Sequence, residues 1–187
     1  NKLVVAGEGG AIACDGEAFL RHCQLIRGQG MDPNRRYRFR VPGVNGRMGA
    51  LQAALLHSQL KNVDSEIMER QRVINAYETL LADIVQPRRL EQSVLQVPWL
   101  ATFRFNGLSE RKRDALIHAL AKQEIETRPM FFPLHREAAF KKYRSTRPVN
   151  STRLPRNGLS LPTWGGLTDG DLSLIAGKIR VELGRLR

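Results

Sequence analysis

Apolar residues recur at helical spacing along much of the chain and collect into short runs elsewhere. Phe19, Leu20, Cys23 and Ile26 predict a helix over residues 17–27, capped by Asp15 and stopped by Gly28-Gln29-Gly30. Ala50, Leu51, Ala54, Leu55 and Ser58 predict a second over 49–60, whose small residues suit close packing against a neighbour. The longest helix is expected over 63–82, with Ile67, Ile74, Tyr77 and Leu81 on one face and Glu66, Glu69, Arg70 and Arg72 outward. A break between residues 84 and 97 precedes an extended segment, 97–105, in which Pro98 favours a strand start or edge. Ser109 then caps a helix to residue 123, and 125–128 reads as a short strand. A short helix over 152–157, a strand over 158–161 and a helix over 169–183, opened by a capping-box-like Thr168 and Asp171, complete an α/β pattern.

The opening stretch sets a short apolar run on each side of Gly7-Glu8-Gly9-Gly10, which reads as two β-like segments around a tight reversal. Lys2 stands at its open end. It reads either as a frayed lysine or as an amine held where it forms an imine with a carbonyl. The chain starts in mid-pattern and without Met, as the back part of a longer polypeptide or a segment left by processing or by design would.

With 187 residues, the chain suffices for one sizeable domain, or for part of a large domain followed by a small one. Hydrophobic residues at 42% and aromatics at 6% describe a folded protein, and no apolar run approaches the length of a membrane span. Cys14 and Cys23 lack metal-ligand spacing, so no metal is expected and a reducing, cytoplasmic setting is the default.

The formal charge of +12 gathers in Arg35, Arg36, Arg38, Arg40 and Arg47, and again between Arg136 and Arg156. Neither cluster has the interleaved aromatics of a nucleic-acid stacking surface or a helix-turn-helix frame. Arginines in a Gly- and Pro-rich loop, residues 31–44, suit phosphate or diphosphate groups. His57 and Met68 read as packing or surface. The run Pro129-Met130-Phe131-Phe132-Pro133-Leu134-His135 reads either as a packed crossover loop, with His135 bonded to a backbone acceptor, or as an aromatic wall of a small-molecule site with one polar contact.

Lys2 with Gly7 to Gly10, the stretch from Gly28 to Tyr37, Gly43 to Met48, and Glu126 to His135 fall in an order and spacing that resemble the DegT/DnrJ/EryC1/StrS family of pyridoxal-phosphate sugar aminotransferases. The closing Leu159-Ser160-Leu161-Pro162 and Leu167-Thr168 agree, so the resemblance covers essentially the whole chain. Within the family the sequence is similar to the GDP-perosamine synthase group, which acts on a nucleotide-linked 4-keto-6-deoxy sugar for polysaccharide or O-antigen synthesis.

The resemblance implies the C-terminal half of a fold-type I aminotransferase. Residues 1–84 would be the end of the large cofactor domain, closed by an interdomain helix, and 95–187 the small α/β domain. Lys2 would attach pyridoxal 5′-phosphate, and Asn45 would reach the cofactor phosphate across a homodimer interface. Arg128, Phe131 with Phe132, and His135 would border the sugar-nucleotide pocket, with Arg35, Arg36 and Arg38 toward the diphosphate. The amino donor would be glutamate. Val44, Gly46, Phe39 and Arg40 depart from the family, which usually has tyrosines beside the asparagine and often an aromatic-histidine pair before it. They imply either a different sugar or a drifted copy. The 187-residue segment alone is expected to be inactive, with half the cofactor cup elsewhere. A non-catalytic fragment that dimerises or binds sugar nucleotides, and a basic nucleic-acid binder, are the competing classes.

Overall fold

The computed structural model describes residues 2–87, 94, 96–143 and 149–186. The chain divides into two compact units, Lys2–Val63 and Asp64–Arg187.

In the first unit the expected β reversal does not form: residues 2–13 contain bends but no strand. A strand needs a partner backbone, and Val5 finds a side chain instead. Its N–H donates to Gln59 Oε1 at 3.0 Å, and its carbonyl accepts from Gln59 Nε2 at 2.6 Å. Helix α1 (Glu17–Arg27) has the expected span, but Gly16 is its N-cap residue and no side chain caps it. Asp15 lies one residue too early for that role.

The chain after α1 turns through Gln29 and Gly30, both at positive φ. It makes a hairpin-like excursion in which Asp32 N–H donates to the Arg38 carbonyl and Arg40 N–H to that of Gly30. The returning segment lies along the end of α1. Val44 and Gly46 N–H groups donate to the carbonyls of Ile26 and Arg27, both at 2.9 Å, supplying partners that the last helical turn lacks. Helix α2 (Ala50–Leu60) follows. No apolar side chain of this unit is buried, and Leu51, Leu55, Phe19 and Val44 are among those exposed.

The second unit holds the hydrophobic core. Helix α3 (Val63–Leu80) supplies Val73, Ile74 and Tyr77, with Leu81 and Val85 beyond its end. Arg70, expected to face outward, is buried, and its NH1 donates to the Trp99 carbonyl at 3.1 Å. A three-stranded antiparallel sheet in the order β1-β3-β2 consists of β1 (Ala101–Arg104), β2 (Arg128–Pro129) and β3 (Gly158–Leu161).

The first and second strands are shorter than expected, because regular pairing with β3 extends over only four and two residues. Helices α4 (Glu110–Ala121) and α6 (Asp169–Arg185) pack together beside the sheet, and a short α5 (Val149–Arg153) runs into a 3-10 turn at Leu154–Asn157. Ser109 caps α4 as expected, accepting from Lys112 N–H. Thr168 and Asp171 form the complete reciprocal capping box of α6. Much of the expected break at 84–97 lies outside the described residues.

Candidate active site

Lys2 and Asn45 belong to the first unit and both are exposed. The Gln59 amide fixes the backbone three residues after Lys2. Asn45 is held by its neighbours in sequence, which bond to α1, and by an isolated bridge to Gly28. Arg47 Nε donates to Asn45 Oδ1 at 3.3 Å, so the amide NH2 is left as the donor end. The opening stretch also meets the segment after Asn45, where a Cβ added to Gly9 would stand 3.0 Å from Met48 Cε.

The arginine loop is organised around Asp32. Its carboxylate accepts from Asn34 N–H at 2.8 Å and from Arg40 Nε at 2.8 Å. The Asn34 bond and the Arg40 guanidinium hold this carboxyl below the usual carboxylate range. Arg35, Arg36 and Arg38 are exposed, with the Arg36 guanidinium 5.0 Å from the Tyr37 ring centroid. The four arginines of the loop do not act as one cluster: Arg40 braces the loop, and Arg35, Arg36 and Arg38 project from it.

The second unit separates its candidates too. Arg128 borders a cavity of about 370 Å³ with Glu126, Ser160 and Thr163, at the end of the sheet where the chain before β2 diverges from β3. Phe131 and Phe132 line a different cavity of about 340 Å³, together with Arg113, Arg136, Thr152 and Arg156. Phe131 stacks on Trp99, with centroids 6.1 Å apart, and Arg136 lies over the Phe132 ring at 5.4 Å. His135 is half-buried, and its Nε2 lies 3.1 Å from Thr152 Oγ1, a side-chain hydroxyl where sequence reading weighed a backbone acceptor.

Arg113 and Arg136 were missed as cavity residues. Arg113 shares the buried face of α4 with Leu116 and Leu120, but its charge hides it among the neighbouring Arg111, Lys112 and Asp114. Among the described residues, no group of three or more His, Cys, Asp or Glu is placed to hold a metal. Cys14 and Cys23 are half-buried free thiols. No described helix is long and apolar enough to cross a membrane.

With this geometry, residues 1–180 match the DegT/DnrJ/EryC1/StrS aminotransferase family. The chain belongs to that family. A GDP-perosamine synthase of Caulobacter vibrioides is 35% identical over 178 residues, 94% of this chain and 48% of that protein. A 3-amino-5-hydroxybenzoate synthase of Amycolatopsis mediterranei is 34% identical over 150 residues, covering 74% of this chain and 37% of its own. Among solved structures, a family aminotransferase from Brucella abortus superposes with a TM-score of 0.78 at 26% identity, over 89% of this chain and 44% of that one. A 3-amino-5-hydroxybenzoic acid synthase gives 0.85 at 25% identity, over 98% and 52%.

The architecture is thus that of fold-type I aminotransferases of this family over most of the chain, as the sequence resemblance implied. The chain spans about half the length of the curated relatives it matches.

Proposed function

We propose that this chain is part of a pyridoxal-phosphate-dependent aminotransferase that moves an amino group from an amino acid, glutamate foremost, to a nucleotide-linked 4-keto-6-deoxy sugar. The observation that carries the reading is the first unit's donor set, an exposed amine on Lys2 and an Asn45 amide with its NH2 end free to donate. Arg47 is bonded beside it. An aldehyde bearing a phosphate needs an amine to hold it covalently and N–H donors for its oxygens, so these residue types fit the group.

Residues 1–84 are proposed as the end of the cofactor domain and 95–187 as the small domain. Bound pyridoxal phosphate would supply an electron sink. Lys2 Nζ would hold it and, once released, carry a proton between donor carbon and cofactor. Asn45 and Arg47 would fix the phosphate. Arg35, Arg36 and Arg38 would meet a diphosphate, while Phe131, His135 and Arg128 would border the sugar nucleotide. GDP-perosamine synthases among the relatives support a GDP-linked sugar. The exposed apolar side chains of α1 and α2 support burial against further protein, a homodimer partner included.

The test is borohydride reduction of the cofactor-loaded protein followed by peptide mapping. The cofactor mass is expected on Lys2, and Lys2→Ala should abolish both the label and amino transfer. Label on another lysine, or none, would overturn the assignment.

A further inference from the structure

The cavity walled by Phe131 and Phe132 is mostly apolar, with Pro129, Met130, Pro133 and Pro155 completing its lining. At about 340 Å³ it lies at the small end of ligand pockets, so it suits one end of a sugar nucleotide rather than the whole molecule. Its polar groups are Glu110, Arg113, Arg136, Thr152 and Arg156. Three of these are engaged. Arg113 donates to the Pro155 carbonyl and to Asp114, Arg136 lies over the Phe132 ring, and Thr152 Oγ1 faces His135 Nε2.

Glu110 and Arg156 remain. The nearest Glu110 carboxylate oxygen lies 3.7 Å from Arg113 NH2, beyond hydrogen-bond range, so both oxygens are open to a ligand. The Arg156 side chain is exposed and makes no hydrogen bond or ion pair among the described residues. Buried Arg113 ties the two together. The guanidinium that faces Glu110 also reaches the carbonyls of Pro155 and Arg156, at 2.8 and 3.4 Å. One aromatic-walled cavity thus carries an acceptor-only carboxylate and an uncommitted fork of donors.

This combination discriminates among the parts of a sugar nucleotide. A phosphate drawn to Arg156 would meet the charge of Glu110. A sugar ring needs several hydroxyl or amide partners, and the hydroxyl in this lining already faces His135. A nucleobase needs an aromatic face to stack on and polar groups at its edge. Guanine sets two donors, N1–H and N2–H, side by side, where a carboxylate accepts both, and on the adjoining edge sets O6 and N7, which a guanidinium matches. Adenine would turn the bare N1 lone pair toward the carboxylate, and uracil or thymine offers a single N–H between two carbonyls.

We propose that this cavity receives the base of the nucleotide sugar and that Glu110 selects guanine. The Glu110 carboxylate accepts from N1–H and N2–H, Arg156 donates to O6 and N7, and a phenylalanine ring covers one face of the base. The site rests on the aminotransferase reading for its substrate and adds to it the residue that chooses the nucleotide. Glu110 takes no part in amino transfer.

The experiment is calorimetric titration of the protein with GDP, with inosine diphosphate, which lacks the 2-amino group, and with ADP. GDP is expected to bind about tenfold or more tighter than ADP, with inosine diphosphate between them. Glu110→Gln should weaken GDP about tenfold and leave ADP unchanged or tighter, since the amide offers a donor beside its acceptor. A Glu110 that only steadied Arg113 would instead affect both nucleotides alike. Arg156→Ala should weaken GDP about tenfold, and Arg156→Lys should recover only part of the loss, because it lacks the planar fork. Both residues are exposed, so these variants leave the core intact.

Absent GDP binding, equal affinity for GDP and ADP, or a GDP affinity indifferent to Glu110→Gln would overturn the proposal. Borohydride labelling separates it from the aminotransferase reading. A labelled Lys2 without base preference removes the guanine pocket alone, and a Glu110-dependent preference in a protein that takes no cofactor on Lys2 removes the aminotransferase reading alone.

Discussion

Gly43 touches Gly30 so closely that a methyl group on Gly43 would stand 2.3 Å from the Gly30 amide nitrogen and 2.7 Å from the Ile26 carbonyl oxygen. Gly30 in turn has φ +73, and a Cβ there would fall 1.8 Å from the Val41 carbonyl. These contacts set the segment carrying Asn45 against the end of α1.

Replacing Gly43 with alanine should therefore displace the 43–46 segment at a cost of about 1–3 kcal/mol, as overpacking against backbone does. Hydrogen exchange at the Val44 and Gly46 amides should accelerate, and trypsin should cut the arginine loop faster. Unchanged protection would show that the segment is held by other means.

Tyr77 is fully buried, and its hydroxyl has no hydrogen-bond partner among the described residues. Burial, with the Asp171 charge as a second cause, drives its ionisation well above the ordinary tyrosine range. Tyr77→Phe keeps the edge-to-face contact with Phe103, whose centroid is 6.2 Å away, and removes the orphan group. Stability to urea should stay level or rise by about 1 kcal/mol. A loss beyond about 1 kcal/mol would reveal a bond made by that hydroxyl.

Arg113 is buried on α4. Its NH1 donates to the Pro155 carbonyl at 2.8 Å, and its Nε and NH2 both donate to Asp114 Oδ1. Arg113→Ala would leave that carbonyl without its guanidinium donor and empty one wall of the Phe131–Phe132 cavity. Thermal unfolding should report a loss of about 2–4 kcal/mol.

The α6 capping box should respond to acid. The Thr168 hydroxyl, and then its backbone N–H, donate to Asp171 and hold its carboxyl below the usual range. A depressed folded-state value means that this contribution is whole above the unfolded carboxyl value, about 3.9, and is lost as pH falls through the lower folded value. Amide exchange at the start of α6 should quicken across that acid range, and Asp171→Asn should remove the pH-dependent part. At neutral pH, Thr168→Ala should cost about 1 kcal/mol.

The helices were legible because their signals are local. Ser109 and Thr168 announce their caps within one turn, and the apolar spacing of α3 points to its buried face. The strand Gly158–Leu161 was read at its observed bounds, flanked as it is by an asparagine-glycine pair and a proline. Arg70 misled because its charge suggests solvent, whereas the carbonyl it meets belongs to Trp99, far along the chain. Asn45 and Arg128 could be named only by resemblance, whereas Lys2 beside its glycine turn and His135 at the end of the aromatic run already stood out, each with a bland alternative. That Arg128 and Phe131 line separate cavities depends on how the chain leaves β2, which no periodicity encodes.

The side-chain amide of Gln59 grips both sides of the Val5 peptide, as a neighbouring strand would, from 54 positions away. Three residues of chain reach at most about 10 Å, so the distance from Lys2 Cα to this anchor is bounded by that length. Gln59→Glu would exchange the amide donor for a second acceptor and release the Val5 carbonyl. One amide on the second helix thus fixes the backbone three residues from the amine, and a substitution remote in sequence would loosen that backbone without touching the lysine.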